Sequence, residues 1–357
     1  MKTIIFIISE LGSGGTQKTV KQLIEKFYND NFIIKIITFE RKKNYLFKKN
    51  KIEYFNLNAN LESKNKIYGL FNNLRRIFLI RRVIKKNNNS CLVSFLTSTN
   101  ILSIFANFFL KNKLIISERN DPTRQPINFF WKTLRFFFYR FTDEIICNSR
   151  NAKNYFKNFI KSKKINYIPN HIDLKENHKS SSSKIILSIG RMHAQKGFDI
   201  LIKGFKKSNA VKLKWKLILI GEGPEKNRLK NLSKSMNLTT NIKFLNYTNP
   251  YKWYKKAGIF ALLSRYEGTP NVILEAASFK LPIIISKGTG GALDIITNNK
   301  SGFIVKNSST IEVGNCINKL IINSKLRREM GKKVYKKIKS FSDFETIYMN
   351  WNKLITR

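Results

Sequence analysis

The sequence predicts an α/β protein built as two doubly wound halves, each a parallel sheet wrapped by helices. Three observations carry this. Short apolar runs rich in isoleucine alternate with stretches of helical periodicity along the chain. A glycine turn follows the first strand of each half, at Gly12, Gly14 and Gly15 and again at Gly190. The 357 residues exceed what one core usually organises, and 42% hydrophobic content suffices to pack two.

Element by element, residues 2–9 are a continuous apolar strand, broken by the glycines, and 16–27 read as a helix. Strands follow at 32–39 and 53–56. Residues 67–84 are helical, with Ile67, Leu70, Phe71, Leu74, Ile77, Phe78, Ile80 and Ile84 largely at i, i+3, i+4 spacing. Further strands lie at 91–95, 113–117, 144–147 and 165–168. The uncharged stretch 92–110 is long enough to span a bilayer, but its central Ser, Thr and Asn residues favour strand, turn and helix. A polar segment with four serines, 174–183, is the expected linker between an N-terminal domain, 1–173, and a C-terminal domain, 184–335. Strands are expected there at 184–189, 216–220, 241–244, 259–263 and 282–286, and helices at 198–206 and 271–279. Pro224 suits the first turn of a helix. Everything from 310 reads as helix, and 336–357 is expected to pack back on the N-terminal domain.

Sixty-seven Lys and Arg against 22 Asp and Glu give a net charge of +45, which calls for an anionic partner: nucleic acid, an acidic membrane or a phosphorylated ligand. Lys, Asn, Ile and Phe are abundant together, the mixture an AT-rich gene encodes, so part of this charge is compositional. Three widely spaced cysteines and three histidines speak against a disulfide framework, structural zinc or a multi-His metal site, and suit a reducing cytosol. The apolar run at 4–8 is too short for a signal peptide.

Three constellations carry chemistry. Gly12-Ser13-Gly14-Gly15-Thr16 stands between a strand and a helix, where unpaired N–H groups suit an anion, or where a tight turn suffices by itself. Glu40 is a loose candidate for a ribose clamp there. Ser188-Ile189-Gly190-Arg191, followed by Lys196-Gly197, presents two cations five residues apart, a pair able to hold a diphosphate whose charge grows as it leaves. Glu267-Gly268-Thr269-Pro270-Asn271-Val272-Ile273-Leu274-Glu275 follows a buried strand; its two carboxylates, eight residues apart, suit the diols of a sugar and a ribose.

Residues 185–305 resemble the nucleotide-binding domain of the family-four retaining glycosyltransferases. The matching pieces are Gly190-Arg191, Lys196-Gly197, Gly221-Glu222-Gly223-Pro224, Asn241-Ile242-Lys243-Phe244-Leu245, the Glu267-to-Glu275 block with Pro282, and the glycines at 288–291. Gly14-Gly15, Ser117-Glu118-Arg119-Asn120-Asp121-Pro122, Asn148-Ser149 and Ile168-Pro169-Asn170-His171-Ile172-Asp173 extend the likeness over nearly the whole chain. The resemblance implies the GT-B fold, two Rossmann-like domains facing across a cleft. By resemblance, Arg191 and Lys196 hold the donor diphosphate, Glu275 the ribose, and Glu267 the transferred sugar, whose pocket Gly268, Thr269, Pro270 and Asn271 line. Gly15 and Gly190 lie by the donor, and Leu245 by its base. Many relatives carry a histidine where this sequence has Arg119, whose role stays open.

The implied reaction is retaining transfer of a hexose or N-acetylhexosamine from a nucleotide sugar, UDP-linked by the look of the Ser-Glu-Arg-Asn-Asp-Pro motif. The departing phosphate accepts the proton, and neither metal nor cofactor is implied. Residues 70–86, with Arg75, Arg76, Arg81, Arg82, Lys85 and Lys86, and residues 129–141, with Lys132, Arg135 and Arg140 among aromatics, resemble interfacial helices on anionic lipid. They favour a polyprenyl-diphosphate-linked saccharide acceptor at the inner face of a bacterial cytoplasmic membrane, in polysaccharide, O-antigen or glycan synthesis. A basic nucleic-acid-binding protein, and a soluble GT-B sugar synthase or phosphorylase, are the competing readings; the first leaves Glu267 and Glu275 unexplained.

Overall fold

The computed structural model describes residues 2–12, 14–40, 52–59, 66–172, 174, 183–341 and 343–357. Ser13, Asp173 and most of the expected linker, 175–182, lie outside them. Two compact units result: Met1–Ile168 with Glu345–Arg357, and Pro169–Phe344.

The first unit contains β1 (Thr3–Ile7), α1 (Gly15–Asn29), β2 (Ile33–Thr38), β3 (Ile52–Asn56), α2 (Lys66–Lys85), β4 (Cys91–Phe95), α3 (Thr97–Asn107), β5 (Lys113–Glu118), α4 (Phe129–Phe138), β6 (Glu144–Cys147), α5 (Arg150–Lys157) and β7 (Ile165–Tyr167). Its sheet runs β3-β2-β1-β4-β5-β6-β7, parallel throughout. In the centre Ile4 pairs with Ile34 on one side and Cys91 on the other, and β4 is buried along its whole length. This is why these strands read as unbroken apolar runs and not as alternating ones. The stretch 92–110 resolves into the end of β4, the turn at Leu96 and α3. No helix among the described residues is long and apolar enough to cross a membrane.

The second unit contains β8 (Ile185–Ile189), α6 (Phe198–Lys207), β9 (Lys216–Ile220), α7 (Lys226–Ser235), β10 (Ile242–Leu245), α8 (Tyr251–Lys256), β11 (Ile259–Leu262), α9 (Asn271–Ser278), β12 (Ile283–Ser286), β13 (Phe303–Val305), α10 (Thr310–Ile322) and α11 (Ser324–Phe341). Its sheet runs β10-β9-β8-β11-β12-β13, again parallel. Pro224 lies ahead of α7 and outside its first turn: Glu225 is the cap residue, and its carbonyl accepts the Leu229 N–H (2.9 Å) as the helix begins at Lys226.

The final helix, α12 (Phe344–Thr356), supplies Ile347, Tyr348, Trp351, Leu354 and Ile355 to the core of the first unit. The Trp351 ring lies 5.9 Å from Phe95, and the Tyr348 ring 4.8 Å from Phe27. Lys113 Nζ donates to the Leu354 carbonyl at 2.6 Å, and Lys2 Nζ donates to that of Thr356. Two cations therefore satisfy carbonyls at the negative end of the helix dipole. Of the expected return segment 336–357, residues 336–341 end α11 in the second unit, and only 345–357 join the first.

The apolar stripe of α2 divides. Ile80 and Ile84 are buried, whereas Ile67, Leu70, Phe71, Leu74 and Phe78 are each more than half exposed. On α4, Phe129, Phe130, Phe136 and Phe137 are exposed as well. Not all the basic residues expected beside them share that surface. Arg76 donates to the Ala59 carbonyl (2.9 Å), and Arg81 to the carbonyls of Ala106 (2.9 Å) and Phe108 (2.7 Å), which ties α2 to the end of α3. Arg135 is buried, against the expectation of an anion-facing cation, because it serves the carboxylate of Glu118 (Arg135 Nη1 to Glu118 Oε2, 3.6 Å). The outward cations are Arg75, Arg82, Lys85 and Lys86 on or after α2, and Lys132 and Arg140 about α4.

Trp351→Ala should destabilise the first unit by about 3–5 kcal/mol, the usual cost of a large buried aromatic. Urea unfolding followed by circular dichroism measures it, with the exposed Met349→Ala as a control that shifts stability by less than about 0.5 kcal/mol. A Trp351→Ala protein as stable as the control would refute the packing role of α12.

Candidate functional site

In open parallel sheets ligands bind beyond the carboxyl ends of the strands where the chain order reverses. In the second unit that point lies between β8 and β11. These two strands register through only two residue pairs, Ile259 with Ile186 and Phe260 with Leu187, against five between β8 and β9. They part before their ends, and the loops that follow them close the gap.

The loops are stitched by backbone contacts. The Gly190 N–H donates to the Ile220 carbonyl (3.0 Å), that of Met192 to Glu222 (2.7 Å), and that of Arg265 to Gln195 (2.7 Å). Gln195 Nε2 donates to the Tyr266 carbonyl at 2.9 Å. Gly197 has φ +66°, and a Cβ on it would stand 2.0 Å from the Leu263 carbonyl oxygen, so only glycine permits the approach.

Two sequence-nominated residues meet here. Lys196 Nζ lies 2.5 Å from Glu267 Oε1, which also accepts from Ser264 Oγ at 3.1 Å. Both side chains are largely buried, so this pair is screened less than a surface one. Arg191, on the same loop as Lys196, is exposed, and Gly190 precedes it. Gly268, Thr269, Pro270 and Asn271 are buried and lead straight into α9.

That turn is held from two further sides. Gly290, with φ +53°, packs where a Cβ would lie 2.0 Å from the Glu267 carbonyl oxygen, and the Gly291 N–H donates to Gly268 at 2.5 Å. Asn170, 2% exposed, donates from Nδ2 to the Thr269 carbonyl (2.9 Å) and to Asn271 Oδ1 (2.5 Å). Arg265 grips Asp199 with both arms, at 3.0 and 2.8 Å, and reaches the Ala194 carbonyl at 2.5 Å. Burial works against the Asp199 carboxylate, but the Arg265 hydrogen bonds and charge outweigh it and hold its pKa below the usual value. Sequence reasoning missed Arg265, Asp199 and Tyr254; their partners are distant in the chain and share no motif.

Glu275 stands one turn into α9, roughly 6 Å along the axis from Asn271. Its Oε2 accepts from the buried Tyr254 hydroxyl at 2.9 Å. Leu245 ends β10, and its carbonyl accepts the Gly221 N–H at 3.0 Å.

In the first unit the glycine turn opens α1 with no acidic residue in the first turn and Gly15 exposed. Glu40, the loose ribose-clamp candidate, accepts the Leu11 N–H at Oε1 and so anchors the loop after β1. Arg119 is buried, and its Nη2 donates to Thr19 Oγ1 at 3.2 Å. Thr19 in turn donates to the Gly15 carbonyl (3.3 Å), so Arg119 and Gly15 are joined through one side chain. Burial lowers the Arg119 pKa to about 10. The preceding Glu118 is 1% exposed, accepts from Thr97 Oγ1 at 2.9 and 3.1 Å, and faces Arg135. Burial raises its pKa to about 6 despite the Arg135 charge and the Thr97 hydrogen bond. Asp121 accepts from the Thr123 N–H (2.9 Å) and hydroxyl (2.6 Å) and shapes the next turn.

Two family profiles together match residues 13–337: "Glycosyltransferase Family 4" over residues 13–176 and "Glycosyl transferases group 1" over 170–337. Among similar proteins, the GalNAc-alpha-(1->4)-GalNAc-alpha-(1->3)-diNAcBac-PP-undecaprenol alpha-1,4-N-acetyl-D-galactosaminyltransferase of Campylobacter jejuni is 27% identical over 99% of this chain and 98% of its own. A second Campylobacter jejuni protein, N-acetylgalactosamine-N,N'-diacetylbacillosaminyl-diphospho-undecaprenol 4-alpha-N-acetylgalactosaminyltransferase, is 28% identical over 94% of each chain. A crystal structure of HepE from Anabaena in complex with UDP and glucose superposes with TM-score 0.83 at 16% identity, covering 100% of both chains.

The raised pKa of Glu118 has a measurable consequence. A carboxyl that binds its proton more tightly when folded contributes stability that is complete below its ordinary 4.5 and is lost as pH rises through about 6. Glu118→Gln removes that dependence. The wild type should therefore lose on the order of 2 kcal/mol relative to Glu118→Gln across this window, with a constant difference above it. Parallel stability curves from pH 4 to 8 would contradict the assignment.

Proposed function

The chain belongs to the family-four glycosyltransferases and has their GT-B fold, and from that premise we propose that it transfers a hexose or N-acetylhexosamine, with retention, from a UDP-sugar to a polyprenyl-diphosphate-linked saccharide. The observation that carries the donor half is the Lys196–Glu267 pair at the switch point of the second sheet, with Glu275 beyond it on α9. A cation and a carboxylate side by side suit the two ends of the bond to be broken.

Each residue then has one task. Arg191 and Lys196 bind the diphosphate and stabilise the charge it gains as the anomeric C–O bond breaks. Glu267 accepts hydroxyl protons of the transferred sugar, which keeps the developing oxocarbenium ion oriented. Glu275 takes the ribose diol. The acceptor hydroxyl oxygen attacks the anomeric carbon on the face the diphosphate leaves, and its proton passes to the departing phosphate oxygen. The two side-chain cations carry the charge a divalent metal would otherwise neutralise. The similar Campylobacter jejuni proteins, whose names specify undecaprenol-linked saccharides, and the UDP in the HepE complex support this choice of acceptor class and nucleotide.

The exposed stripe of α2, with Phe71 and Phe78 more than half in water, supports docking on anionic lipid at the inner face of the cytoplasmic membrane. Arg75, Arg82, Lys85 and Lys86 add attraction of about 1 kcal/mol each near such a surface.

Two measurements test these halves separately. Release of UDP from a panel of UDP-sugars in the presence of membrane extract should fall at least about 100-fold in Arg191→Ala and in Glu275→Ala, the scale of losing a charged contact. Turnover equal to wild type in both variants would remove these residues from the site. Wild type should float with phosphatidylglycerol vesicles, whereas Phe71→Glu/Phe78→Glu should not, while its affinity for UDP stays intact. Wild-type protein that never floats would overturn the docking face while leaving the transferase reading in place.

A further inference from the structure

We propose that the turn after α3 is a membrane anchor whose tip, Phe109, enters the acyl region of an anionic bilayer. The inference rests on the docking reading above and adds to it the residue that penetrates and the way the backbone presents it.

The turn runs from Asn107 to Leu110. The Leu110 N–H donates to the Asn107 carbonyl at 3.0 Å, Phe108 has φ −55° and ψ 132°, and Phe109 has φ +63°. These are the angles of a type II turn, whose third residue is ordinarily glycine or asparagine because other side chains are strained there. Here that place holds a phenylalanine that is 100% exposed. Among the described residues Leu96 is the other large apolar side chain at a positive φ, and it packs against the core of the first unit. Phe109 bears both the backbone strain and the hydration of its ring, with a tilted contact to the Phe108 ring at 6.2 Å. The turn is held in this shape from two sides. Arg81 Nη1 donates to the carbonyls of Ala106 and Phe108 at 2.9 and 2.7 Å, and Asn107 Nδ2 donates to that of Asn112 at 2.9 Å. A strained conformation that its neighbours enforce, at a fully exposed apolar residue, points to a function outside the fold.

The surroundings select the partner. The Phe108 ring lies 5.6 Å from that of Phe141, which is 58% exposed, and the adjacent Arg140 stands 5.9 Å from the rings of Phe136 and Phe137. Between residues 66 and 142 the acidic residues are Glu118 and Asp121, and both are buried. The outward side chains of this stretch are therefore apolar rings and cations with no acid of their own among them. Acyl chains would take the Phe109 ring and anionic headgroups the cations. A second copy of the chain, docked about a two-fold axis through the same face, would set cations against cations.

The test uses the full chain with vesicles of phosphatidylglycerol or of phosphatidylcholine. Phe109→Asn, whose side chain suits the left-handed position, should melt at or above the wild-type temperature. Its partition onto phosphatidylglycerol vesicles should nevertheless fall by about tenfold or more, the scale of burying one phenylalanine side chain. For depth, Phe109→Cys in a Cys316→Ser background carries an environment-sensitive fluorophore, since Cys91 and Cys147 are buried. Its emission should shift to the blue on phosphatidylglycerol vesicles and be quenched by nitroxides on the acyl chains. A Met349→Cys control, on α12 at the opposite face of the sheet from α2 and α3, should show neither change. Phe109→Asn that binds as tightly as wild type, or a label that stays in water on bound protein, overturns the anchor and leaves the α2 docking face standing. Equal wild-type binding to phosphatidylcholine overturns the choice of an anionic surface. Self-association without lipid that is lost in Phe109→Asn assigns the turn to a second copy of the chain instead. Wild type that binds no vesicle overturns the docking reading and this inference with it, while UDP affinity reports the donor site independently.

Discussion

The close approach of two backbones governs the rest of the second unit. Lys196 can meet Glu267 only because Gly197 rests against the Leu263 carbonyl at a distance no Cβ tolerates. The parallel sheet brings the ends of β8 and β11 to the same edge, and their short register lets them part there. Glycine then brings the two following loops together again. Gly290 repeats the device from the β12 side, under Glu267 itself. The glycines of this site thus set distances between loops, and the chemistry is left to side chains whose positions those distances fix.

The net charge of +45 divides by what each cation faces. Lys2, Lys113 and Arg81 end on backbone carbonyls near helix termini, and Arg135 lies inside the first unit beside Glu118. Arg265 is spent on Asp199 and Lys196 on Glu267. What remains outward on α2 and α4 stands among exposed phenylalanines, the pairing on which the proposed docking to anionic lipid rests. The charge that first suggested three classes of partner is therefore several populations of cations with different work.

How much of this was legible in the sequence follows the range of each interaction. The buried central strands and α1 were legible, because continuous apolar runs and i, i+3, i+4 spacing are local signals. Gly190, Lys196, Glu267 and Glu275 sit in short motifs between such elements, which is how the sequence could nominate them. The three-residue strand β13 is too short to show a period, and α8 carries aromatic residues where a helical stripe would be polar. Asp199 with Arg265, Asn170 with Thr269, and Tyr254 with Glu275 are separated by 66, 99 and 21 residues and meet only in the fold. Arg135 was legible and misread. Its neighbours at i−4 and i+4 are Trp131 and Tyr139, on the inward side of the helix, and that spacing places the arginine with the core and not with the exposed phenylalanines.

The internal pairing of Lys196 also bears on how a donor would enter. A diphosphate reaching that loop meets a cation already neutralised by Glu267, so Lys196 offers it little attraction at a distance. Arg191, exposed on the same loop, is the charge such a ligand would meet first in the proposed reaction. A diphosphate settling there would compete for Lys196, and the sugar hydroxyls it carried would offer Glu267 new donors in exchange. A nucleoside diphosphate without its sugar makes only half of that exchange and leaves a buried carboxylate without its counter-ion, which is costly in a partly desolvated site. In the proposed reaction the same pair therefore favours the intact nucleotide sugar over the spent nucleotide, through the charge balance between two side chains and without any contact reserved for either ligand.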